Sequence, residues 1–294
     1  MTQRPILLLG AHGQVGSALA PRLETLGQVV AADRTRADLN DPESLRPIVR
    51  DLQPWLVVNA AAYTAVDAAE QDADACMRVN VEAPAVLAEE SARIGAPIIH
   101  YSTNYVFDGT LDRPYREEDE PSPLGLYARS KLLGEAAVAA NPAHLILRLA
   151  AVYASGGRNF MLRILDLSRE REELRVVEDQ LVAPTPASSV ADATVGIIGG
   201  LLDRTHELRS GVYHLTCAGS TSWFGFAERI LALDPRREEQ RVQRVVPVSS
   251  DEFVTPARRP LNGLLDCGRA ARELGVTLPD WETELERVLT GRVS

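Results

Sequence analysis

Four apolar residues, Ile6-Leu7-Leu8-Leu9, run without interruption into Gly10-Ala11-His12-Gly13-Gln14-Val15-Gly16, and the apolar periodic segment Ser17-Ala18-Leu19-Ala20 follows. An apolar run that stops at a glycine-rich turn predicts a buried strand, and the periodic segment after it predicts a helix. The alternation repeats. Val29 to Ala32 predicts a second strand ended by Asp33, and Trp55 to Val58 a third. Between them Asp38 to Glu43 reads as a loop, with Asp41 as cap and Pro42 as the first position of a helix running from Ser44 to Leu52. A helix through Val79-Asn80-Val81 ends near Ile94, where Gly95 and Pro97 stop it. Pro97 to Tyr101 and Leu145 to Leu149 are further strands. The polar, proline-bearing stretch from Thr110 to Pro123 predicts a surface loop able to close over a substrate. Strands alternating with helices predict an α/β fold: a Rossmann-type doubly wound parallel sheet with its ligands at the strands' carboxyl ends.

The second half predicts a helix over Asn159 to Arg169, a strand over Leu174 to Val177 and an apolar helix over Val190 to Leu202. Strands at Val212 to Leu215 and Val242 to Val248 follow, with a helix from Ser222 to Leu233 between them. Residues 1–150 are thus expected to form the dinucleotide-binding domain, with a return segment at about 187–205. Residues 151–294 are expected to form mainly a smaller α/β substrate-binding domain.

Composition narrows the class. With 31 basic and 41 acidic residues the net charge is −10, which disfavours nucleic acid and anionic membrane as partners and requires a local basic pocket for an anionic substrate. No apolar run approaches the roughly 18 residues needed to span a bilayer, so a cytoplasmic chain is expected. Cys76, Cys217 and Cys267 lie far apart without a C-x-x-C, and His12, His100, His144, His206 and His214 show no metal spacing. Neither disulfides nor a metal site are expected, and the histidines read as structural.

The candidate chemistry begins at the glycine turn. Gly10 lets the chain turn, Gly13 lets the backbone approach a pyrophosphate, and Gly16 lets the helix pack close to the strand. The anion then sits on the free N–H groups of the helix start. Asp33, twenty residues after Gly13, stands where ribose hydroxyls are expected, and Arg34 beside it can pair with a 2′-phosphate, so both NADH and NADPH are expected to serve. The small residues of Asn59-Ala60-Ala61-Ala62-Tyr63-Thr64 allow backbone to lie against the cofactor. In Tyr127-Ala128-Arg129-Ser130-Lys131 the i, i+4 spacing places phenol and ammonium on one helix face. There the cation is expected to pull the tyrosine pKa from about 10 towards neutrality, which makes Tyr127 a proton donor to a carbonyl receiving hydride. Thr103 completes a Thr-Tyr-Lys triad by hydrogen-bonding the same carbonyl oxygen.

The G-x-x-G-x-x-G spacing, Asn59 to Asp67, Tyr101-Ser102-Thr103-Asn104-Tyr105-Val106-Phe107-Asp108-Gly109, Asp179-Gln180 with Ala183-Pro184-Thr185, and Leu278-Pro279-Asp280-Trp281 together resemble the dTDP-4-dehydrorhamnose reductase family of extended short-chain dehydrogenases. The resemblance covers nearly the whole chain. It implies NADPH- or NADH-dependent reduction of the 4-keto group of a dTDP-6-deoxy-4-keto-hexose, giving dTDP-L-rhamnose. It implies cofactor contacts at Gly13, Gln14, Val15, Asp38, Leu39, Ala62, Tyr63 and Thr64, with Tyr127 and Lys131, and sugar contacts at Thr103, Asn104 and Tyr105. The chain departs from the family pattern at Asn104, where aspartate is usual, and at Ala151, where an aromatic residue is usual. Arg158 and Arg258 are the candidates for the diphosphate. The expected partner is a dTDP-sugar, and a homodimer is compatible with the sequence. Two other readings use the same fold. A dehydratase or epimerase needs an Asp-Glu pair beside Thr103, which Asn104-Tyr105 does not supply, and a non-catalytic regulatory subunit has no use for a retained proton donor.

Overall fold

The apolar runs of the first half become parallel strands of one sheet. The computed structural model describes residues 4–202 and 208–291, so His206 and residues 203–205 of the expected return segment lie outside the described residues. The first half contains β1 (Ile6–Leu9), α1 (Gln14–Leu23), β2 (Val29–Ala32), α2 (Leu45–Leu52), β3 (Leu56–Asn59), α3 (Val66–Ala69) and α4 (Ala73–Met77). A π-helical turn over Arg78–Glu82 leads into α5 (Ala83–Arg93), then β4 (Ile98–Thr103), α6 (Leu126–Val138) and β5 (His144–Leu149). The second half contains β6 (Val152–Tyr153), α7 (Phe160–Glu170), β7 (Glu173–Val177), β8 (Leu181–Val182), β9 (Thr185–Pro186), α8 (Ala187–Leu202) and β10 (Gly211–His214). It ends with β11 (Thr221–Ser222), α9 (Trp223–Leu233), β12 (Arg244–Val248), α10 (Gly268–Leu274) and α11 (Trp281–Leu289).

The main sheet has the order β10-β5-β4-β3-β1-β2, and every pairing in it is parallel. Successive residues of a strand face opposite sides, which sorts the core into two layers. Ile6 and Leu8 join α1 and α8 on one face, and Leu7 and Leu9 join α2 and α5 on the other. All four β1 side chains are fully buried, each contributing on the order of 2 kcal/mol. The chain leaves β1 for β2 on one side and returns to β3 on the other. The crevice beyond β1 and β3 is therefore the topological switch point, where open α/β sheets bind ligands.

The strand expected at Val212 to Leu215 forms as β10 and pairs with β5 through Gly211↔Leu145 to His214↔Arg148, which extends the main sheet. Two local expectations need correction. Asp41 precedes the short 3₁₀ turn Pro42–Ser44 but makes no side-chain cap, because its place there is set by backbone bonds. The Thr110 to Pro123 stretch is anchored rather than free: Tyr115 is buried, stacks on Phe107 at 4.3 Å and bridges to Leu265. Among the described residues no helix is long and apolar enough to cross a membrane.

The second half packs around aromatic rings. Phe226 of α9 touches Tyr153, Phe160, Trp223 and Trp281, which joins α7, α9 and α11. The small parallel pair β7–β12 and the antiparallel pair β8–β11 carry the loops that reach back towards the sheet.

Candidate active site

Gly10 turns the chain after β1 with φ 78°, a left-handed backbone that side-chain-bearing residues avoid. A Cβ there would also stand 2.5 Å from the Ala61 amide nitrogen, so the glycine turn and the loop after β3 lie in direct contact. Gly16 likewise has no space for a side chain beside the Gly10 carbonyl. At the start of α1 the Ser17 amide bonds back to Gly13, which leaves the amides of Gln14, Val15 and Gly16 without helix partners, and no side chain caps this end. The side-chain oxygen of Gln14 is buried without a partner. A crowded helix start that no side chain caps, with three backbone N–H groups free, fits a dinucleotide pyrophosphate.

The other residues expected to meet a cofactor flank this turn. Asp33 and Arg34 are exposed beyond β2, and Asp33 Oδ1 accepts the Thr35 amide at 2.9 Å and hydroxyl at 2.6 Å. Those bonds hold its carboxyl below the usual range. Asp38 accepts the Asn40 amide at 3.0 Å, and Leu39 is buried behind it. Ala60, Ala62, Tyr63 and Thr64 run along the loop after β3, and Asn80 clips that loop in place. Asn80 Oδ1 accepts the Tyr63 amide at 2.9 Å, and its Nδ2 donates to the Tyr63 carbonyl at 3.1 Å and to Ser130 Oγ at 2.9 Å. Asn80 lies in the π-helical turn, whose extra residue aims a buried amide at two elements at once.

Tyr127, Lys131 and Glu135 follow one another along the face of α6 that meets β4. Glu70 of the α3–α4 connection sets the start of this helix by accepting the Leu126 amide at 2.7 Å, and Gly134 packs so tightly on the Asn80 carbonyl that no Cβ fits. The Thr103 hydroxyl acts on the Tyr127 phenol and favours its ionised form against burial, and the Tyr105 ring meets Tyr127 edge-on at 6.2 Å. Thr103 is buried at the end of β4, where its hydroxyl also accepts the Tyr105 amide at 3.2 Å. Lys131 is buried, with Nζ 2.7 Å from the Tyr101 carbonyl and 3.2 Å from His100 Nε2. The expectation that Lys131 draws the phenol towards neutrality fails. Burial pushes Tyr127 up to about 12, and burial lowers Lys131 to about 8. Tyr127 therefore holds its proton at neutral pH, the form an acid requires. Glu135, one turn on, is paired with Arg148 at 2.7 Å and 2.9 Å and accepts Ser102 Oγ at 2.5 Å.

The substrate side is built from loops. Asn104 Nδ2 donates to the Gly263 carbonyl at 2.9 Å, so it clasps the C-terminal loop to the end of β4. Of the adjacent pair Arg258 and Arg259, Arg258 is exposed, while Arg259 turns inward, pairs with Asp67 at 2.7 Å and acts electrostatically on the Tyr105 phenol. Arg158 is exposed on the loop after β6. Its neighbours Ser155, Gly156 and Gly157 line a cleft of about 410 Å³ together with Gly13 and Gln14. The sequence gives no role to Glu70 or Arg259, and it names Asn59, Asn80 and His100 only within longer runs or as structural. Each acts through a contact distant in the chain.

This constellation can be set beside known proteins. The family model for the RmlD substrate binding domain matches residues 3–293. A dTDP-4-dehydrorhamnose reductase of Burkholderia thailandensis is 48% identical over 94% of this chain and 95% of its own, and one of Escherichia coli is 38% identical over 97% and 96%. The crystal structure of a dTDP-4-dehydrorhamnose reductase from Clostridium acetobutylicum superposes with a TM-score of 0.89 at 32% identity, covering 98% of this chain and 99% of that one. The enzyme from Bacillus anthracis, solved in complex with NADP, gives the same TM-score at 30% identity over the same shares. Agreement of this extent, in sequence and in fold, places the chain in the dTDP-4-dehydrorhamnose reductase family.

Proposed function

We propose that this chain reduces the 4-keto group of a dTDP-4-keto-6-deoxyhexose, converting dTDP-4-dehydro-L-rhamnose to dTDP-L-rhamnose in the cytoplasm with NADPH or NADH. The observation that carries this reading is the approach of the Thr103 and Tyr127 hydroxyls, from two different elements, at the carboxyl end of β4. A bound reduced nicotinamide supplies the hydride. Thr103 and Tyr127 together bind the carbonyl oxygen and polarise the carbon, and Tyr127 gives its proton to that oxygen as negative charge develops. Lys131 stabilises the phenolate left behind, since its ammonium lies one helical turn away in a site of low dielectric. Gln14, Val15 and Gly16 hold the pyrophosphate, with Asp33 and Arg34 at the adenosine ribose. Arg259 holds Tyr105 against the sugar side and brings positive charge to an acidic protein's substrate pocket.

Asn104 favours a reductase over a dehydratase. Its amide is committed to the Gly263 carbonyl and to Thr103, so position 104 supplies no acid to expel a hydroxyl. The test is to follow NADPH and NADH absorbance with enzymatically prepared dTDP-4-keto-6-deoxy sugars and to identify the product. Cofactor oxidation that depends on the keto sugar is expected, and its absence with every such sugar would overturn the reading. Both cofactors should bind within about 10³-fold of each other, some 4 kcal/mol.

A further inference from the structure

Lys131 is buried with no carboxylate paired to it, and the protons around it follow from a chain of obligatory donors. The Ala61 backbone N–H can only donate, and its partner is Asn59 Oδ1 at 3.2 Å. That bond fixes the Asn59 amide, so its Nδ2 is the atom facing His100 Nδ1 at 3.1 Å. Nδ2 also can only donate. His100 Nδ1 therefore presents a lone pair, and the imidazole carries its proton on Nε2, 3.2 Å from Lys131 Nζ. An amine accepts that hydrogen bond, whereas an ammonium has three donors and no acceptor.

We propose that His100 and Asn59 are positioning residues that hold Lys131 as a hydrogen-bond acceptor, so that Lys131 takes up a proton only when His100 gives up the Nε2–H tautomer. Protonating Nζ requires the imidazole proton to sit on Nδ1, where it meets the Asn59 N–H head-on. The network thereby keeps Lys131 close to the balance between amine and ammonium, at the pH where Tyr127 needs its charge. His100 is fully buried, and burial together with the neighbouring lysine holds it neutral. Few titratable groups face this pair among the described residues. Cys76 of α4 is a buried thiol bonded to Ser130 and pushed up by burial, with Asp72 acting on it. Glu135 is matched by Arg148, Tyr127 lies one turn earlier on α6, and the Tyr101 phenol of β4 points away to Thr194.

The link to catalysis rests on the reductase reading above; the tautomer does not. The full-length chain labelled with ¹⁵N-histidine gives the tautomer directly, with His100→Gln identifying the signals. An Nε2–H imidazole is expected above about pH 8, where Lys131 is an amine, giving way to the Nδ1–H tautomer as the lysine takes up its proton at lower pH; a single tautomer at every pH, or an imidazolium, overturns the proposal. The pH profile of kcat/KM then tests the coupling. Asn59→Asp accepts the proton at Nδ1 and frees the Nε2 lone pair for Lys131, so the basic limb should move up by about one pH unit, a tenfold change in acidity. An equal shift when Asn59→Asp is made in a His100→Phe background assigns the effect to the new charge alone and overturns the proposal. If Asn59→Asp does not fold, the tautomer of the unaltered chain decides. If no keto sugar is reduced at any pH, the reductase reading fails while the tautomer result stands.

Discussion

Lys131 and Glu135 lie one turn apart on the same buried face of α6, yet the protein treats the two charges in opposite ways. Glu135 is fully matched, with a two-point pairing to Arg148 and a hydroxyl from Ser102. Lys131 bonds only a carbonyl and a neutral imidazole, and the charge of Glu135 one turn away offsets its desolvation only in part. The difference separates a charge that fixes the helix against β4 and β5 from one left short of an ion-pair partner one turn after Tyr127. A buried ion left incompletely paired is the mark of a candidate functional site.

The largest effect is expected from breaking the matched pair. Glu135→Ala leaves Arg148 buried without a counter-charge and should cost about 3–5 kcal/mol in urea unfolding, most of it recovered when Arg148→Met is added. A loss below about 1 kcal/mol would remove the contrast. Next comes the other end of the helix. Tyr127→Phe should lower turnover by at least about 10²-fold with cofactor affinity nearly intact, and near wild-type turnover would sink the proton-donor role. Lys131→Met should depress both turnover and cofactor binding, yet its thermal midpoint should match or exceed that of the parent chain, because an unmatched buried charge is gone. A clear fall in midpoint would show that Lys131 is structural after all.

A smaller effect is expected in stability against pH. Lys131 has a folded pKa of about 8 against an ordinary 10.5. Between these values the unfolded chain holds more protons, so stability should rise with pH across that window, and the penalty is fully present below about 8. Above 10 the trend reverses, because Tyr127 keeps its proton to about 12 while an unfolded tyrosine loses it. Unfolding titrations of the parent chain and Lys131→Met should differ only by the lower limb, and identical curves would place the charge in water. The smallest effect lies just past Arg148, at Ala151. Ala151→Trp should tighten binding of the rhamnose product by on the order of 1 kcal/mol by offering a ring face to the sugar. Tyr153 is committed to the aromatic cluster, so lost binding on calorimetry would leave Tyr105 or a different substrate as the occupant and count against the rhamnose product.

The strand-turn-helix opening, the second-strand acid and the i, i+4 pair on α6 were legible in the sequence because each is a short-range pattern whose spacing maps onto one element. The glycines at 10, 13 and 16 and the triad members could therefore be named before any coordinates. Less legible was whatever depends on contacts between distant segments. Asn59 and His100 face each other only through the β3–β4 register, and Arg259 differs from Arg258 only in which way an irregular loop turns it. The Tyr127 phenol was misjudged for the same reason: adjacency on a helix predicts charge proximity, but the burial that outweighs it is a property of the whole fold. Ala151 carries φ 44° in a backbone region that favours glycine, and nothing in its local sequence announces it.

The position of β10 has a consequence for how this protein can be made or cut. The last strand of the main sheet is separated from its partner β5 by some sixty residues that build much of the other half, so the sheet stays unfinished until the ribosome has passed residue 214. Until then β5 is a bare apolar edge on a nascent chain, the kind of surface that recruits chaperones or pairs with the wrong strand. A fragment ending near residue 150 would keep every glycine of the turn after β1 and still be expected to aggregate.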